Sequence, residues 1–547
     1  MNSPTMAAVV VETLIGCGIT DVVASPGSRN APLLLAAHHA AENGRLRLHV
    51  RADERVAGFL ALGLAKAFER AVAVVTTSGT AVANLAPAAM EARAAGVAWL
   101  ALTADRPSYL VGTGTSQTAD QAGAFGPSAL GLVRLSSASG SERAWSMGVQ
   151  RAVALAEGLR TRQPGPVQLN LEFEPPLAGP IPEVSPRVAP ISRSQPGDVV
   201  TLDGSPRTVV LAGDAPPRVG AEARALAEIN DFPLLAEPSS NARLGAAAIA
   251  GYRRLLGGEL GRRIERVICF GHPTLSRPVS ALLARQDIEL VVVSDHARWH
   301  DPGLNASRIA DRVLAEPGDP GWLDRWREED RLLAGRRDHA PEFDGFAVAA
   351  QVMDAMETGD NLVLGSSNCI RDADQAPLPE RAFPVYANRG LAGIDGVVAT
   401  AGGIALATGR RTTVLLGDLT MQHDLGALVR PPLEDRPRLR IVVQHDDGGS
   451  IFSSLEQGAP EYADAFERVF GTPQGLDLAA VARALGWDAA EVRDETALAR
   501  ELATGREFIV ARILAHGASE ASPTTASPFR AGHLAVKVDA RSWSARC

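Results

Sequence analysis

Two short apolar runs, Val414-Leu415-Leu416 and Ile441-Val442-Val443, flank a Pro- and Arg-rich crossover within residues 412–452. Runs this short and this apolar suit parallel strands buried on both faces. Each ends in acidic residues and glycines: Gly417-Asp418-Leu419 after the first, Asp446-Asp447-Gly448-Gly449 after the second. Ligands of open α/β sheets sit outside the carboxyl ends of the strands. Two carboxylates delivered to neighbouring strand ends therefore suit one hard cation such as Mg²⁺, which takes one or two carboxylates plus substrate phosphates. The glycines let backbone approach a phosphate. Taken singly, Asp418 or Asp446 is an ordinary N-cap of the next helix; their pairing favours the metal.

The order of strand, polar end and helix recurs from the N-terminus, which predicts an α/β protein of doubly wound, mostly parallel sheets. A helix over 5–18 is followed by a strand at 21–24 and the turn Ser25-Pro26-Gly27-Ser28-Arg29-Asn30. A strand ending in a Gly/Ser turn at a helix start is an anion-binding arrangement. Arg29 adds a guanidinium able to clamp a carboxylate through two bonds, although the same residues also make an ordinary turn with a surface Arg. A strand at 46–50 leads to Glu54, at the head of a small-residue helix over 57–67. That acid is either a helix-dipole partner or a buried acid. Strands at 72–75 and 97–102 end in Thr76-Thr77-Ser78-Gly79 and Asp105-Arg106-Pro107, and the loop 112–126 carries Ser116, Gln117 and Gln121.

A strand at 166–171 precedes seven prolines between positions 175 and 196, which places a linker over 174–206. A central α/β unit opens with a strand at 208–211 and has further strands near 266–270 and 290–293. Its first turn, Gly213-Asp214-Ala215-Pro216, lacks the glycine pattern of a dinucleotide site. An amphipathic helix over 324–338, with Trp322 and Trp326, leads out of it. In the third unit, strands at 361–364 and 384–386 end in Ser366-Ser367-Asn368 and Asn388-Arg389-Gly390, with Arg371 close behind the first. Arginines at several strand ends, Arg29, Arg371 and Arg389, suggest a substrate with more than one carboxylate. Arg93, Arg277 and Arg298 read equally as surface residues or as parts of an anion-binding pocket. These breaks predict domains at 1–180, 181–340 and 341–515, followed by a disordered tail over 516–547.

A chain of 547 residues is too long for one core, so about three domains are expected. A net charge of −9 gives no electrostatic footprint for nucleic acid. The only lysines are Lys66 and Lys537, and neither follows a glycine-rich loop, which excludes a P-loop ATPase. Cys17, Cys269, Cys369 and Cys547 are far apart, against a disulfide framework or a zinc site. No signal peptide and no 18-residue apolar run is evident, so the expectation is a cytoplasmic protein without an integral membrane segment.

Taken together and in order, SPGSRNAP, RADER, TSGTAVANLAPA, LTADRP, GTSQTADQ, NRGLAGIDG, GDLTMQHD and DDGGSIF resemble the 2-succinyl-5-enolpyruvyl-6-hydroxy-3-cyclohexene-1-carboxylate synthase (MenD) family of thiamine-diphosphate enzymes. The resemblance covers about residues 5–515. It implies a pyrimidine-binding N-terminal domain, a central α/β domain and a diphosphate- and metal-binding domain. It also implies a homodimer or a dimer of dimers whose active sites lie at the interface. The implied activity is that of a C–C bond-forming transferase of menaquinone biosynthesis. It decarboxylates 2-oxoglutarate and adds the succinyl carbanion to isochorismate, with the cofactor as electron sink.

The resemblance also implies roles. Glu54 matches the acid that promotes the imino tautomer of the cofactor's pyrimidine, and Ile394 the bulky residue under the bent cofactor. Asp418, Asp446 and the Gly448 carbonyl match the ligands of Mg²⁺ or Mn²⁺. Further cofactor contacts fall on Pro26, Gly27, Ser78 and Ser116 in the first unit, and on Gly417, Leu419, Gly449 and Ile451 in the third. Substrate carboxylates and hydroxyls are assigned to Ser28, Arg29, Arg106, Gln117, Arg277, Ser367, Arg371, Arg389 and Phe452. Of these, Arg29, Gln117 and Arg389 join Glu54 as catalytic candidates. The chain departs from the family at Leu419, where Gly is usual, and at His445-Asp446, where an Asn pair is usual. It departs again at Ser116, where Asn is common.

Two rival readings use the same fold. An acetolactate-synthase or oxo-acid-decarboxylase type would share Glu54 and the metal motif but would not need Arg29, Arg371 and Arg389. A non-catalytic binding paralogue would tolerate Glu54→Gln. A scaffold role finds no repeat or charged tail to support it.

Overall fold

The computed structural model describes residues 2–334 and 343–513. The tail expected over 516–547, and the end of the helix expected over 324–338, lie outside the described residues. Three large sheets organise the chain. The first contains β1 (Asp21–Ala24), β2 (Arg47–Val50), β3 (Val72–Thr76), β4 (Trp99–Asp105), β5 (Gly131–Ser136) and β6 (Pro166–Glu172), in the order β2-β1-β3-β4-β6-β5 with parallel neighbours. Side chains alternate across a strand, so the sheet is buried on both faces. Val22, Val75, Leu100 and Leu169 pack with the helices Ser3–Gly16, Ala31–Glu42 and Glu142–Ala156. Val23, Val74, Trp99 and Ala101 pack with Glu54–Phe68 and Ala86–Ala95. β4 runs past the expected 97–102 because its polar end is paired: Asn170 of β6 accepts from the Thr103 hydroxyl at 3.0 Å and donates to Asp105 at 2.8 Å.

The linker expected over 174–206 is not wholly irregular. Residues Val199–Leu202 form β7, which pairs in parallel with β13 (Arg312–Ala315), while β8 (Thr208–Ala212), β9 (Leu234–Ala236), β10 (Arg266–Phe270), β11 (Glu289–Val293) and β12 (Ala306–Ala310) make a separate sheet ordered β12-β11-β10-β8-β9. The prolines stop at Pro196, and the Gly197 and Asp198 N–H groups then donate to Asp311 at 2.8 and 3.1 Å, which aligns the chain with β13. Proline governs only its own and the preceding residue, so the apolar VVTL run is free to pair.

The third sheet contains β14 (Asn361–Leu364), β15 (Val385–Ala387), β16 (Thr412–Gly417), β17 (Leu439–His445), β18 (Ala489–Val492) and β19 (Phe508–Arg512), in the order β15-β14-β16-β17-β19-β18. The two runs that carry the acidic motifs are therefore neighbours, and Gly417 lies opposite Gln444. The helix Glu54–Phe68 crosses the helix Val397–Thr408 and joins the first and third units. The backbones meet there. A Cβ on Gly63 would lie 1.9 Å from the Thr400 carbonyl oxygen, so only glycine fits the crossing. Among the described residues no helix is long and apolar enough to cross a membrane.

Candidate active site

The carboxyl ends of the first and third sheets each gather a group of predicted residues. At the first sheet, β1 and β3 are neighbours, so the turns after them touch: Gly27 lies against Thr77, and Pro26 and Ser28 are exposed beside it. Arg106, following β4, donates to the Ser78 hydroxyl and, at 2.6 Å, to the Gln117 carbonyl oxygen. Ser78 donates to the same carbonyl at 2.9 Å. Gln117 takes a left-handed φ of 53° to make this closure. Arg29 donates to the Phe173 carbonyl oxygen at 2.7 Å, and burial together with the nearby Arg106 charge holds its guanidinium below the usual range. Among the described residues, Ser25 Oγ, Thr76 Oγ1, Thr77 Oγ1 and Arg29 Nε are buried there without a hydrogen-bond partner. Buried polar atoms are normally satisfied, so this concentration at strand ends suits a polar ligand. Glu54 is the first residue of its helix, half-buried, with Asn84 Nδ2 3.5 Å away. Asp53, not Glu54, caps that helix, accepting from the Arg55 and Val56 N–H groups. The Glu54 carboxylate is thus released from capping. Ser116 is exposed.

At the third sheet, Asp418 is buried at the end of β16. Its Oδ1 accepts from the Leu419 N–H at 2.6 Å and its Oδ2 from the Gly448 N–H at 3.1 Å. His445, at the end of β17, places Nδ1 2.9 Å from the same Oδ2. Burial alone would lower the imidazole's affinity for a proton, but the bond to Asp418 and its charge win and raise it. Asp446 accepts from the Ser450 hydroxyl, which in turn accepts from Asn368 Nδ2 at 3.0 Å. Both Asp446 and Asp418, after burial and Asp372, push the Cys369 thiol well above its ordinary range. Both carboxylates are thus within electrostatic reach of Cys369. Gly448 has φ 151°, and a Cβ there would lie 2.2 Å from the Gly471 carbonyl oxygen, so this turn admits only glycine. Two carboxylates beside a glycine turn offer hard oxygen donors and backbone N–H groups. The residues present therefore fit Mg²⁺ or Mn²⁺ with a diphosphate. Among the described residues no cluster of three His, Cys, Asp or Glu side chains is placed to hold a metal ion. Gly449 is buried, while Gly417, Leu419, Ile451, Phe452 and Ile394 are half-buried around this end.

Arg371 donates to the Ser367 carbonyl oxygen at 2.6 Å, and Ser367 itself holds φ 72°, a strained conformation for a residue with a side chain. Burial, then the charge of Arg389, lowers the Arg371 guanidinium, so the two arginines are neighbours. Arg389 is buried and donates to the Thr274 hydroxyl at 2.7 Å. Arg277 stands apart at the surface, ion-paired with Glu456 at 3.2 Å. Arg93 and Arg298 are close enough for Arg298 to act, after burial, on the Arg93 guanidinium, but Arg277 does not join them. A cavity of about 370 Å³ lies between the three sheets, beside the end of β15, lined by Lys66, Arg218, His272, Arg298 and His300. Of the residues singled out from the sequence it takes in Arg298, one of the three arginines of the candidate anion-binding pocket, and the strand-end geometry is the better guide to the reaction chemistry.

Sequence reasoning missed two buried acids beside Arg389. Glu237 follows β9, and Glu91 lies within the helix Ala86–Ala95. Glu237 stands at a strand's carboxyl end, the signal that singled out Asp418, but its strand is only three residues long. Nothing local marks Glu91.

The chain is a thiamine-diphosphate-dependent enzyme. Residues 4–124 match the family model of the thiamine pyrophosphate enzyme N-terminal TPP binding domain. Over the whole chain, the fold is like that of a benzoylformate decarboxylase from Polynucleobacter necessarius, with a TM-score of 0.65 at 17% identity, covering 94% of this chain and 99% of that one. It belongs to the 2-succinyl-5-enolpyruvyl-6-hydroxy-3-cyclohexene-1-carboxylate synthase family. The relative of that name from Kineococcus radiotolerans is 50% identical, with 89% of this chain and 91% of the relative covered. That from Nocardioides is 47% identical over 87% and 88%, and that from Mycobacterium avium 41% identical over 90% and 92%.

Proposed function

We propose that this chain decarboxylates 2-oxoglutarate and joins the resulting four-carbon unit to isochorismate, as its relatives' name implies, in menaquinone biosynthesis. The observation that carries the reading is the placing of Arg29 and Arg106 at the carboxyl end of the first sheet and of Arg371 and Arg389 at that of the third. Four guanidiniums suit two substrates that together carry several carboxylates, which planar arginine recognises better than lysine. Thiamine diphosphate, when bound, supplies the electron sink for loss of CO₂. Glu54 holds a proton at the cofactor's pyrimidine nitrogen, since its carboxylate is free of the capping role. Gln117, Ser28 and Ser367 orient substrate oxygens. Asp418, Asp446 and the Gly448 carbonyl would hold Mg²⁺ or Mn²⁺ against the diphosphate.

Among the described residues the arginines of the two ends do not bond to one another's units: Arg106 bonds within the first unit, Arg371 within the third and Arg389 to Thr274 of the central unit. The reading therefore completes each active site from two copies, the first unit of one facing the third unit of the other, in a cytoplasmic homodimer or dimer of dimers. Exposed apolar residues such as Met90, Leu391 and Leu433 support association. The test is a coupled assay with the cofactor and Mg²⁺, following isochorismate absorbance and CO₂. Isochorismate loss that needs both 2-oxoglutarate and cofactor is expected. CO₂ without isochorismate loss, or faster turnover of pyruvate, would instead favour a simple oxo-acid decarboxylase.

A further inference from the structure

Arg389 sits where all three units of the chain meet, and among the described residues its guanidinium makes no ion pair with a carboxylate. Two buried acids approach it from different units, yet each spends its oxygens on backbone. Glu237, in the central unit, accepts at Oε1 from the N–H groups of Thr274 and Leu275, at 3.1 and 2.9 Å. Glu91, in the first unit, accepts from the Gly390 N–H at 2.8 Å and from the Leu391 N–H at 2.7 Å. The segment held by Glu237 does two things. Its Leu275 side chain is buried in the core of the third unit, and its Thr274 hydroxyl accepts from Arg389 Nη2 at 2.7 Å. The segment held by Glu91 is the one that immediately follows Arg389. The guanidinium is thus fixed at its tip by Thr274 and at its root by Gly390-Leu391. Its Nε is buried and has no hydrogen-bond partner among the described residues.

Each acid fixes its segment by accepting two successive backbone N–H groups; burial pushes the Glu237 carboxyl up to about 8, against those N–H groups, so its hold on Thr274-Leu275 is geometric and does not depend on charge. Recognition of a planar anion by a planar guanidinium depends on orientation held to a fraction of an ångström. We propose that Glu237, through Thr274, and Glu91, through Gly390-Leu391, are positioning residues that aim Arg389 at a substrate carboxylate. Two acids that hold backbone rather than ligand thereby set substrate affinity. The inference rests on the reading of Arg389 as a carboxylate binder.

The test uses the holoenzyme with Thr274→Val, Thr274→Ser, Glu237→Gln and Glu91→Gln. Thr274→Val is nearly isosteric and removes only the hydroxyl, so it carries the test where a glutamate variant fails to fold. Losing one hydrogen bond to a charged group is expected to raise KM for one of the two carboxylate substrates by about tenfold. The kcat value should stay within about twofold, since binding is lost equally in ground and transition states. Thr274→Ser should restore the KM. Glu91→Gln leaves one backbone N–H facing an amide NH₂, and Glu237→Gln brings an amide NH₂ to the Thr274 N–H that Oε2 also accepts at 3.3 Å; both should raise the same KM. A lowered thermal midpoint with unchanged KM in all of them would overturn the proposal and leave the acids as domain-docking groups only. If the wild type turns over neither substrate, the proposed function fails, and the positioning is read separately. Phenylglyoxal should then label Arg389 several-fold faster in Thr274→Val and Glu237→Gln than in wild type, with Arg106 labelled at an unchanged rate; equal rates at Arg389 would overturn it.

Discussion

His445 Nδ1 lies 2.9 Å from Asp418 Oδ2, across the ends of two neighbouring strands. The departure at His445 is therefore a partner of the candidate metal ligand rather than a ligand itself. An outer residue that orients a ligating carboxylate typically accounts for about 10–100-fold in metal affinity. His445→Leu should weaken Mn²⁺ binding, measured with thiamine diphosphate present by the loss of the free-ion electron paramagnetic resonance signal, by an amount in that range. His445→Asn, whose amide can still donate to Asp418, should lose less. Equal affinity in wild type and His445→Leu would mean that Leu419 N–H and Gly448 N–H orient the carboxylate unaided.

Glu54 heads its helix without capping it, which leaves its carboxylate available to a ligand. Proton transfer by a placed side chain contributes about 10²–10⁴-fold. Glu54→Gln should lower kcat by an amount in that range, while thiamine diphosphate binding, followed by quenching of tryptophan fluorescence, weakens far less. Unchanged turnover would rule out Glu54 as the acid and revive the reading of a dipole partner.

A site shared between two copies makes a further prediction. Glu54→Gln damages the first-unit half and Asp418→Ala the third-unit half, so each variant alone should be inactive. Mixed and allowed to exchange subunits, half the dimers are hybrids, each with one intact site, and activity should climb to about a quarter of wild type. No recovery, with exchange verified by native mass spectrometry, would place each active site within one chain.

Much of this arrangement was legible from residue order. β16 and β17 are apolar throughout because they are central, parallel and covered on both faces, and their acidic ends follow from where an open sheet binds ligands. The strands that were not legible are short or at the edge. β5 is an edge strand with partly exposed residues, and β9 has only three. β7 was hidden by the prolines before it. Strand-end arginines could be picked out, but their neighbours could not. Whether Arg389 meets Arg371, and Arg277 does not, is decided by contacts between units. Glu91 is the clearest case, because it acts on residues some three hundred positions away.

The crossing of the helices Glu54–Phe68 and Val397–Thr408 predicts a stability effect whose sign rests on two opposed magnitudes. Gly63→Ala in a helix interior gains about 1 kcal/mol from propensity. Here the new methyl would lie 1.9 Å from a backbone carbonyl oxygen, which cannot swing aside as a side chain could. Overpacking of this kind costs about 1–3 kcal/mol, and more when backbone must move. The substitution should therefore lower the thermal midpoint, with Leu at the same position worse than Ala. A raised midpoint for Gly63→Ala would show that the helices separate cheaply.

Asp424 gives the chain a pH dependence of definite sign. It is fully buried, and its Oδ2 accepts from the Ala399 N–H, in the first turn of the helix Val397–Thr408, at 2.9 Å. Burial pushes its carboxyl up to about 7, against the opposing effects of that N–H and of Arg55. The unfolded chain ionises Asp424 near 3.8, so between that pH and about 7 folding takes up a proton. Stability contributed by the neutral acid is complete below the lower value and is lost as pH rises through the higher one. The slope for one proton is about 1.4 kcal/mol per pH unit. Asn at this position cannot ionise and escapes the loss. Relative to wild type, Asp424→Asn should therefore gain stability from pH 5 to pH 7 and hold that gain steady above. Denaturant unfolding of both proteins at pH 5, 6, 7 and 8 measures this. A difference that stays flat, or that moves the other way, would mean that Asp424 is ionised in the folded protein and that the N–H groups at the head of the helix outweigh its burial.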